Sequence, residues 1–204
     1  MTILLNQQTA IKKHNIMKNI PLILIFVATF YSCKAQTIYP LGTQPEQIEG
    51  NNYYLKDIQN INDNFVGTWL WESGNSSFEL TLQEFEQYSY PNNSTQYWDA
   101  IFGKYKYIED GSIISETDEI FDTTDRPLPR VIAHYKTQNI IWISVSDIVS
   151  KEYKVGEIVL NDDGTATMTL QDSIGTSGVR TPNDPPPSTL GFQLPTNITL
   201  TKVE

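Results

Sequence analysis

Cysteine occurs once in these 204 residues, at Cys33. A single thiol cannot close an internal disulfide, and cysteine-based zinc sites need more ligands than this chain holds. Histidine occurs twice, at His14 and His134, so a Ser-His-Asp triad in the body of the chain would depend on His134 alone. If Val131, Ala133 and Tyr135 face inward on a strand, alternation turns His134 outward beside Lys136. A solvated strand histidine is then the expectation. The chain has no Gly-x-Ser-x-Gly elbow, no His-Glu-x-x-His and no Walker loop. No enzymatic activity and no cofactor are therefore expected. Basic residues are scarce, with 14 Lys and Arg against 24 Asp and Glu, a formal net charge of −10. Such a surface repels polyanions, so a nucleic-acid partner is not expected. Long apolar runs are also missing. A membrane-spanning helix needs about 20 apolar residues, whereas the longest candidate, residues 20–31, has twelve.

That short run is nonetheless the most informative segment. Lys18 precedes it, no charge interrupts residues 22–30, and Ser32 stands directly before Cys33. Positive charge, apolar stretch and small residue in that order make an export signal. The cysteine at the cut resembles the lipobox of bacterial lipoproteins, whose cysteine is acylated, for example with palmitate, and becomes the new N-terminus. The resemblance implies a signal peptide over residues 1–32 and a lipid anchor on Cys33. It further implies a place in the bacterial cell envelope, with the outer membrane preferred to the inner. The alternative is an ordinary signal peptide with a nearby cut and a free Cys33. Met17 is the better start, because residues 17–26 open in the usual signal order. Removing residues 1–32 takes away three lysines and no acid, leaving 11 basic against 24 acidic residues and a net charge of −13.

Residues 33–52 contain Pro40, Gly42, Pro45 and Gly50 with little apolar periodicity, and read as a flexible tether. Residues 53–204 have the size of one domain with a real core. Four hairpins are legible in it. Trp69 and Trp71 alternate into Gly74-Asn75, and Phe78, Leu80 and Leu82 follow. Tyr105 and Tyr107 run into Asp110-Gly111, then Ile113 and Ile114. Val131, Ala133 and Tyr135 precede Gln138-Asn139, and Ile141, Ile143 and Val145 follow. Ile158 and Leu160 precede Asn161-Asp162-Asp163-Gly164, and Ala166, Met168 and Leu170 follow. The last is the clearest, since Asp-Gly supplies the positive φ of a tight turn. Ile198 and Leu200 make a final short strand. About nine strands in sequence predict an all-β fold, an antiparallel up-and-down meander that closes into a barrel to remove its edges. Ile58, Ile61 and Phe65 recur at helical spacing, which predicts a short N-terminal helical turn over residues 57–65. Residues 175–195 carry five prolines and form a long loop that cannot be an interior strand.

Gly67-Thr68-Trp69 is similar to the Gly-x-Trp start of a lipocalin-like barrel, in which the tryptophan packs on a closing turn. The resemblance assigns Gly67 and Trp69 structural roles. The last strand carries Lys202 where lipocalins often carry an arginine that stacks near that tryptophan. FVGTW, residues 98–111, NDDGTATMTL, residues 191–203 and the leading SCKAQ together resemble an uncharacterised family of small secreted lipoproteins of Bacteroidota-type bacteria. That family is a domain of unknown function and supplies no catalytic residues.

Candidate binding residues then come from the aromatics. Trp71, Trp98 and Tyr105 could line a platform for a small hydrophobic or glycan-like ligand, although inward aromatics usually fill a core. Carboxylates at Glu116, Asp118, Glu119, Asp122 and Asp125 crowd one segment. Their spacing fits no EF-hand, so a solvated acidic loop is expected and no metal is assigned. A glycosidase pair among Glu72, Glu79, Glu84 and Glu86 has only composition behind it. Two functions follow: a lipid-anchored barrel that binds such a ligand, or a filled barrel that engages an envelope protein through its loops.

Overall fold

A computed structural model describes residues 36–89, 95–120, 129–172 and 190–203. Eleven strands run in chain order: β1 (Thr37–Pro40), β2 (Tyr53–Lys56), β3 (Gly67–Ser73), β4 (Ser76–Tyr88), β5 (Gln96–Glu109), β6 (Ser112–Glu116), β7 (Val131–Thr137), β8 (Ile140–Ser146), β9 (Tyr153–Leu160), β10 (Thr165–Gln171) and β11 (Asn197–Val203). Eight of them, β3 to β5 and β7 to β11, form a closed antiparallel barrel of up-and-down order. The ring closes where Thr201, Lys202 and Val203 of β11 pair with Leu70, Trp69 and Thr68 of β3.

The four turns read from the sequence join β3 to β4, β5 to β6, β7 to β8 and β9 to β10, and each of these pairs is antiparallel. The β5–β6 hairpin departs from the simple meander. β5 is 14 residues long and shares its second edge among three strands. Tyr53–Leu55 of β2 lie parallel to Gln96–Trp98, β7 pairs with Ile101–Gly103, and β6 pairs with Lys106–Glu109. β7 therefore continues the barrel and β6 is a flap on its wall. A local reading of alternation cannot show which stretch of a long strand each neighbour takes.

Alternation fills the interior. Phe78, Leu80 and Leu82 of β4, Ile141, Ile143 and Val145 of β8, and Ala166, Met168 and Leu170 of β10 belong to one apolar cluster, joined by Trp69, Tyr105, Ile158 and Leu200. Phe78, Leu80, Val131, Ile141, Val145, Ala166, Met168 and Leu200 are 0% exposed. A void able to hold a water molecule would leave its lining with accessible surface. These side chains have none, so they pack directly on one another.

One expectation needs correction. The tether expected over residues 33–52 is ordered in its described part. β1 pairs with β2, Leu41 N–H donates to the Lys56 carbonyl at 2.7 Å, and a compact unit spans Ile38–Glu204. Strands this short, paired with partners distant in sequence, leave no alternation to read. The helical turn is a 3-10 turn at Asn62–Asn64. It starts too late to carry Ile58, which is 57% exposed while Ile61 and Phe65 are buried. Of the 175–195 loop the structure describes residues 190–195, in which Leu194 is buried.

Candidate functional site

The barrel has two different ends. At the first, the chain enters β3 from the 3-10 turn and closes the bottom. Trp69 Nε1 donates to the Phe65 carbonyl at 2.8 Å. Lys202 Nζ lies 5.4 Å from the centre of the Trp69 ring and 3.4 Å from the carbonyl oxygens of Asp63 and Asn64. One lysine thus covers the tryptophan and caps the turn. Gly67 has φ +124°, and a Cβ there would meet Lys202 Cε at 3.0 Å. Both facts call for glycine.

Carboxylates fasten the N-terminal segment to this end. Asp99 accepts from the Tyr54 hydroxyl, from Asp57 N–H at 2.8 Å and from Gln87 N–H at 3.0 Å. Asp57 Oδ2 accepts from Asn62 N–H at 2.6 Å, and the Asn62 amide donates to Glu84 Oε1 at 2.6 Å. Burial pushes the Glu84 carboxyl up; the Asn62 amide offsets part of that, and the Asp99 and Asp57 charges add to it. Burial and the hydrogen bond to Asp99 likewise raise the Tyr54 hydroxyl. Among the described residues no group of His, Cys, Asp or Glu is placed to hold a metal ion.

The opposite end carries the long loops, and a buried network seals it. Asp147 is 0% exposed. Its Oδ1 accepts from the Ser115 hydroxyl at 2.8 Å and Val149 N–H at 3.0 Å. Its Oδ2 accepts from the Ser150 hydroxyl at 2.7 Å and Gln193 N–H at 3.0 Å. Burial alone would raise this carboxyl, but the bonds from Ser150, Val149, Gln193 and Ser115 outweigh it and hold Asp147 below the ordinary carboxylate range. Tyr105 completes the seal. Its hydroxyl lies 3.1 Å from Ser115 Oγ, donates to the Ser146 carbonyl at 3.0 Å and accepts from Ile148 N–H at 3.1 Å. One carboxylate thereby ties together β6, the β8–β9 loop and the segment before β11. Around it stand exposed apolar side chains: Ile113, Val149, Tyr153 and Leu190.

The three aromatics read as a binding platform do not share a surface. Tyr105 is inside, 2% exposed, and is spent on the seal. Trp71 is partly buried against the core near the same end. Trp98 is on the outer wall at the start of β5, edge-on to Tyr88 with ring centres 5.5 Å apart. Tyr88 also packs on Phe102 at 4.7 Å, and Phe85 on Phe102 at 5.3 Å. A bulge between Phe85 and Tyr88, with Gln87 at φ 51°, turns both rings to that wall. Gly67 and Trp69 lie in the first half of β3, beside the 3-10 turn. His134 is exposed and pairs across the outer face with Trp142, itself 44% exposed. Lys136 lies 4.1 Å from the Trp142 ring centre and 2.7 Å from Glu157. On another part of the outer wall, a polar groove of about 120 Å³ runs between Glu79, Lys104, Lys106, Glu116 and Asp118. Drug-sized ligands take roughly 300–1,000 Å³. Cys33, Asp122 and Asp125 lie outside the described residues, as does the 175–189 part of the proline-rich loop.

Sequence reading missed Asp147 as an organising residue. Asp147-x-x-Ser150 is an Asx-type turn signal, but nothing local ties it to Ser115 or Gln193. Residues 17–203 match the model of a family of unknown function (DUF6705), and the chain belongs to that family. No curated protein and no solved structure matches it.

Proposed function

We propose that this member of a family of unknown function is a lipid-anchored protein of the bacterial cell envelope, held by Cys33, that engages a protein partner through the loop-bearing end of its barrel. A β-barrel domain is compatible with a binding module. The observation that directs binding to the outside is the filled interior: the inward side chains are 0–2% exposed along several strands, and Asp147 and Tyr105 close the mouth over them. A carrier of the lipocalin kind needs the opposite, an open apolar chamber. The loop end offers Ile113, Val149, Tyr153 and Leu190 to solvent around a rigid hydrogen-bonded base. Exposed apolar groups over fixed backbone are what a partner can desolvate at low ordering cost. The role is non-catalytic.

Two measurements test this. Native mass spectrometry of protein taken from its own envelope should give the acylated polypeptide free of any small-molecule adduct. A stoichiometric lipid or sugar adduct would return the cargo reading. Photo-crosslinking residues placed at Val149 and Leu190 should yield one discrete adduct in cells, and the same group at Thr199 on the outer wall should not. Equal patterns from all three sites would remove the loop end as the interface.

A second reading has its own observation. Trp142 is an exposed ring on a sheet face, bordered by His134, Lys136 and Glu157. A ring with hydrogen-bonding neighbours suits a glycan. Titration with envelope polysaccharide should change Trp142 fluorescence, and Trp142→Ala should abolish binding without changing the melting temperature. No response in the wild type removes this reading.

A further inference from the structure

We propose that the closed end of the barrel, with Ile38 and Ile58 at its margin, faces a lipid surface, and that the loop-bearing end points away from it. This rests on the anchor at Cys33. The leash is short: Ile38 is the fifth residue after Cys33 and already belongs to β1. An extended chain spans at most about 3.6 Å per residue, so Ile38 lies within about 18 Å of the acylated cysteine. A flexible tether through residue 52 would have allowed roughly 70 Å by the same measure, and with it any orientation.

β1 is fixed to the closed end. It pairs with β2, and Leu41 N–H donates to the Lys56 carbonyl. β2 in turn lies along Gln96–Trp98, the first residues of β5, and Tyr53 N–H donates to the Thr95 carbonyl at 3.0 Å. The next residues, Asp57 and Asn62, are bonded to Asp99 and Glu84. β4 and β5 are 13 and 14 residues long, and their far ends carry the hairpin tips. At about 3.3 Å per residue, shortened by a barrel tilt of roughly 40°, the hairpin tips stand on the order of 30 Å higher.

Apolar exposure alone does not choose the end. Ile38 is 55% and Ile58 57% exposed, yet the loop end exposes Leu190 at 61%. The leash makes the choice, and the two isoleucines then meet the interface. Exposed Glu46, Glu49, Asp63 and Glu86 lie in the segments that build this end. Contact there gains nothing from anionic headgroups, and the anchor alone supplies the attraction.

Acylation consumes the only thiol, so any introduced cysteine is a unique label. Four variants of the acylated chain, Ile38→Cys, Ile58→Cys, Asn75→Cys and Glu109→Cys, would each carry bimane in phosphatidylcholine vesicles containing a headgroup-nitroxide lipid. All four sites are exposed, and circular dichroism confirms the fold of each. Quenching should be several-fold stronger at positions 38 and 58 than at positions 75 and 109. Equal quenching at all four, or stronger quenching at 75 and 109, overturns the orientation. Flotation with the vesicles and the acyl mass read the anchor separately. Protein that neither floats nor carries an acyl group defeats the anchor and the orientation together, whereas floating protein without a gradient defeats only the orientation.

Discussion

Single residues at the two ends of the barrel respond to pH with opposite sign. Asp147 is held below the ordinary carboxylate value by four hydrogen bonds that overcome its burial. Its contribution is complete above the unfolded value near 4 and is lost as pH falls through the lower folded value. Asp147→Asn puts an amide donor against the donors of Ser150 and Gln193. It should cost about 2–3 kcal/mol at neutral pH, the scale of hydrogen bonds to a charged group, and flatten the acid side of a melting curve followed against pH. Glu84 is the reverse case, raised by burial and by neighbouring carboxylates. Its charged form is the disfavoured one, so stability falls as pH rises through its raised value. Glu84→Gln keeps an acceptor for the Asn62 amide and should melt at or above the wild-type temperature at neutral pH. A clear loss would mean the charge itself is needed. Trp69, 2% exposed and bonded to Phe65, gives the size reference. Trp69→Ala should cost about 3–5 kcal/mol, and exposed His134→Ala should leave the unfolding curve unmoved.

At the scale of elements, legibility followed locality. The hairpins at Gly74-Asn75, Asp110-Gly111, Gln138-Asn139 and Asp163-Gly164 are written in a few adjacent residues each, because turn chemistry and alternation are both local. β2 was not legible, because its partner is β5, more than forty residues away and parallel. The Asp147 seal joins residues 105, 115, 147, 150 and 193, which only barrel closure brings together. The outer aromatic wall was hidden for a related reason. Residues 99–103 of β5 are buried on both faces, so the strand shows no alternation there. Element packing also makes a direct test. A Cβ on Gly156 would stand 1.7 Å from the Thr169 carbonyl oxygen, and β10 would have to leave its register with β9. Gly156→Ala should cost about 1–3 kcal/mol or more as overpacking, seen as a lower denaturant midpoint. Replacing residues 177–189 with a Gly-Ser linker should leave the β signal intact, because Gln193 and Leu194 anchor the chain just beyond the replacement. Loss of that signal would place the replaced segment in the core.

For the whole molecule, charge and anchorage act against each other. Residues 33–204, with a net charge of −13, are repelled from anionic surfaces, and at physiological salt that repulsion reaches only about 8 Å. A single acyl chain gives marginal membrane binding, whereas two or more hold firmly. The proposed lipoprotein modification supplies several chains on one cysteine, enough to overcome the repulsion. Attachment should therefore be all or none at residue 33. Cys33→Ser should move the protein entirely to the soluble envelope fraction. It should also leave the purified mutant without affinity for either phosphatidylcholine or phosphatidylglycerol vesicles, while its melting curve stays that of the wild-type domain. A mutant that still sediments with membranes, together with a wild type lacking acyl mass at Cys33, would show that some other part of the molecule holds it there. The seal at Asp147 is the control for the fold: Asp147→Asn should lower stability without changing the fraction in which the protein is found. Anchorage and folding would then separate as two properties of one chain, carried by residue 33 at one end and by a hydrogen-bonded carboxylate at the other.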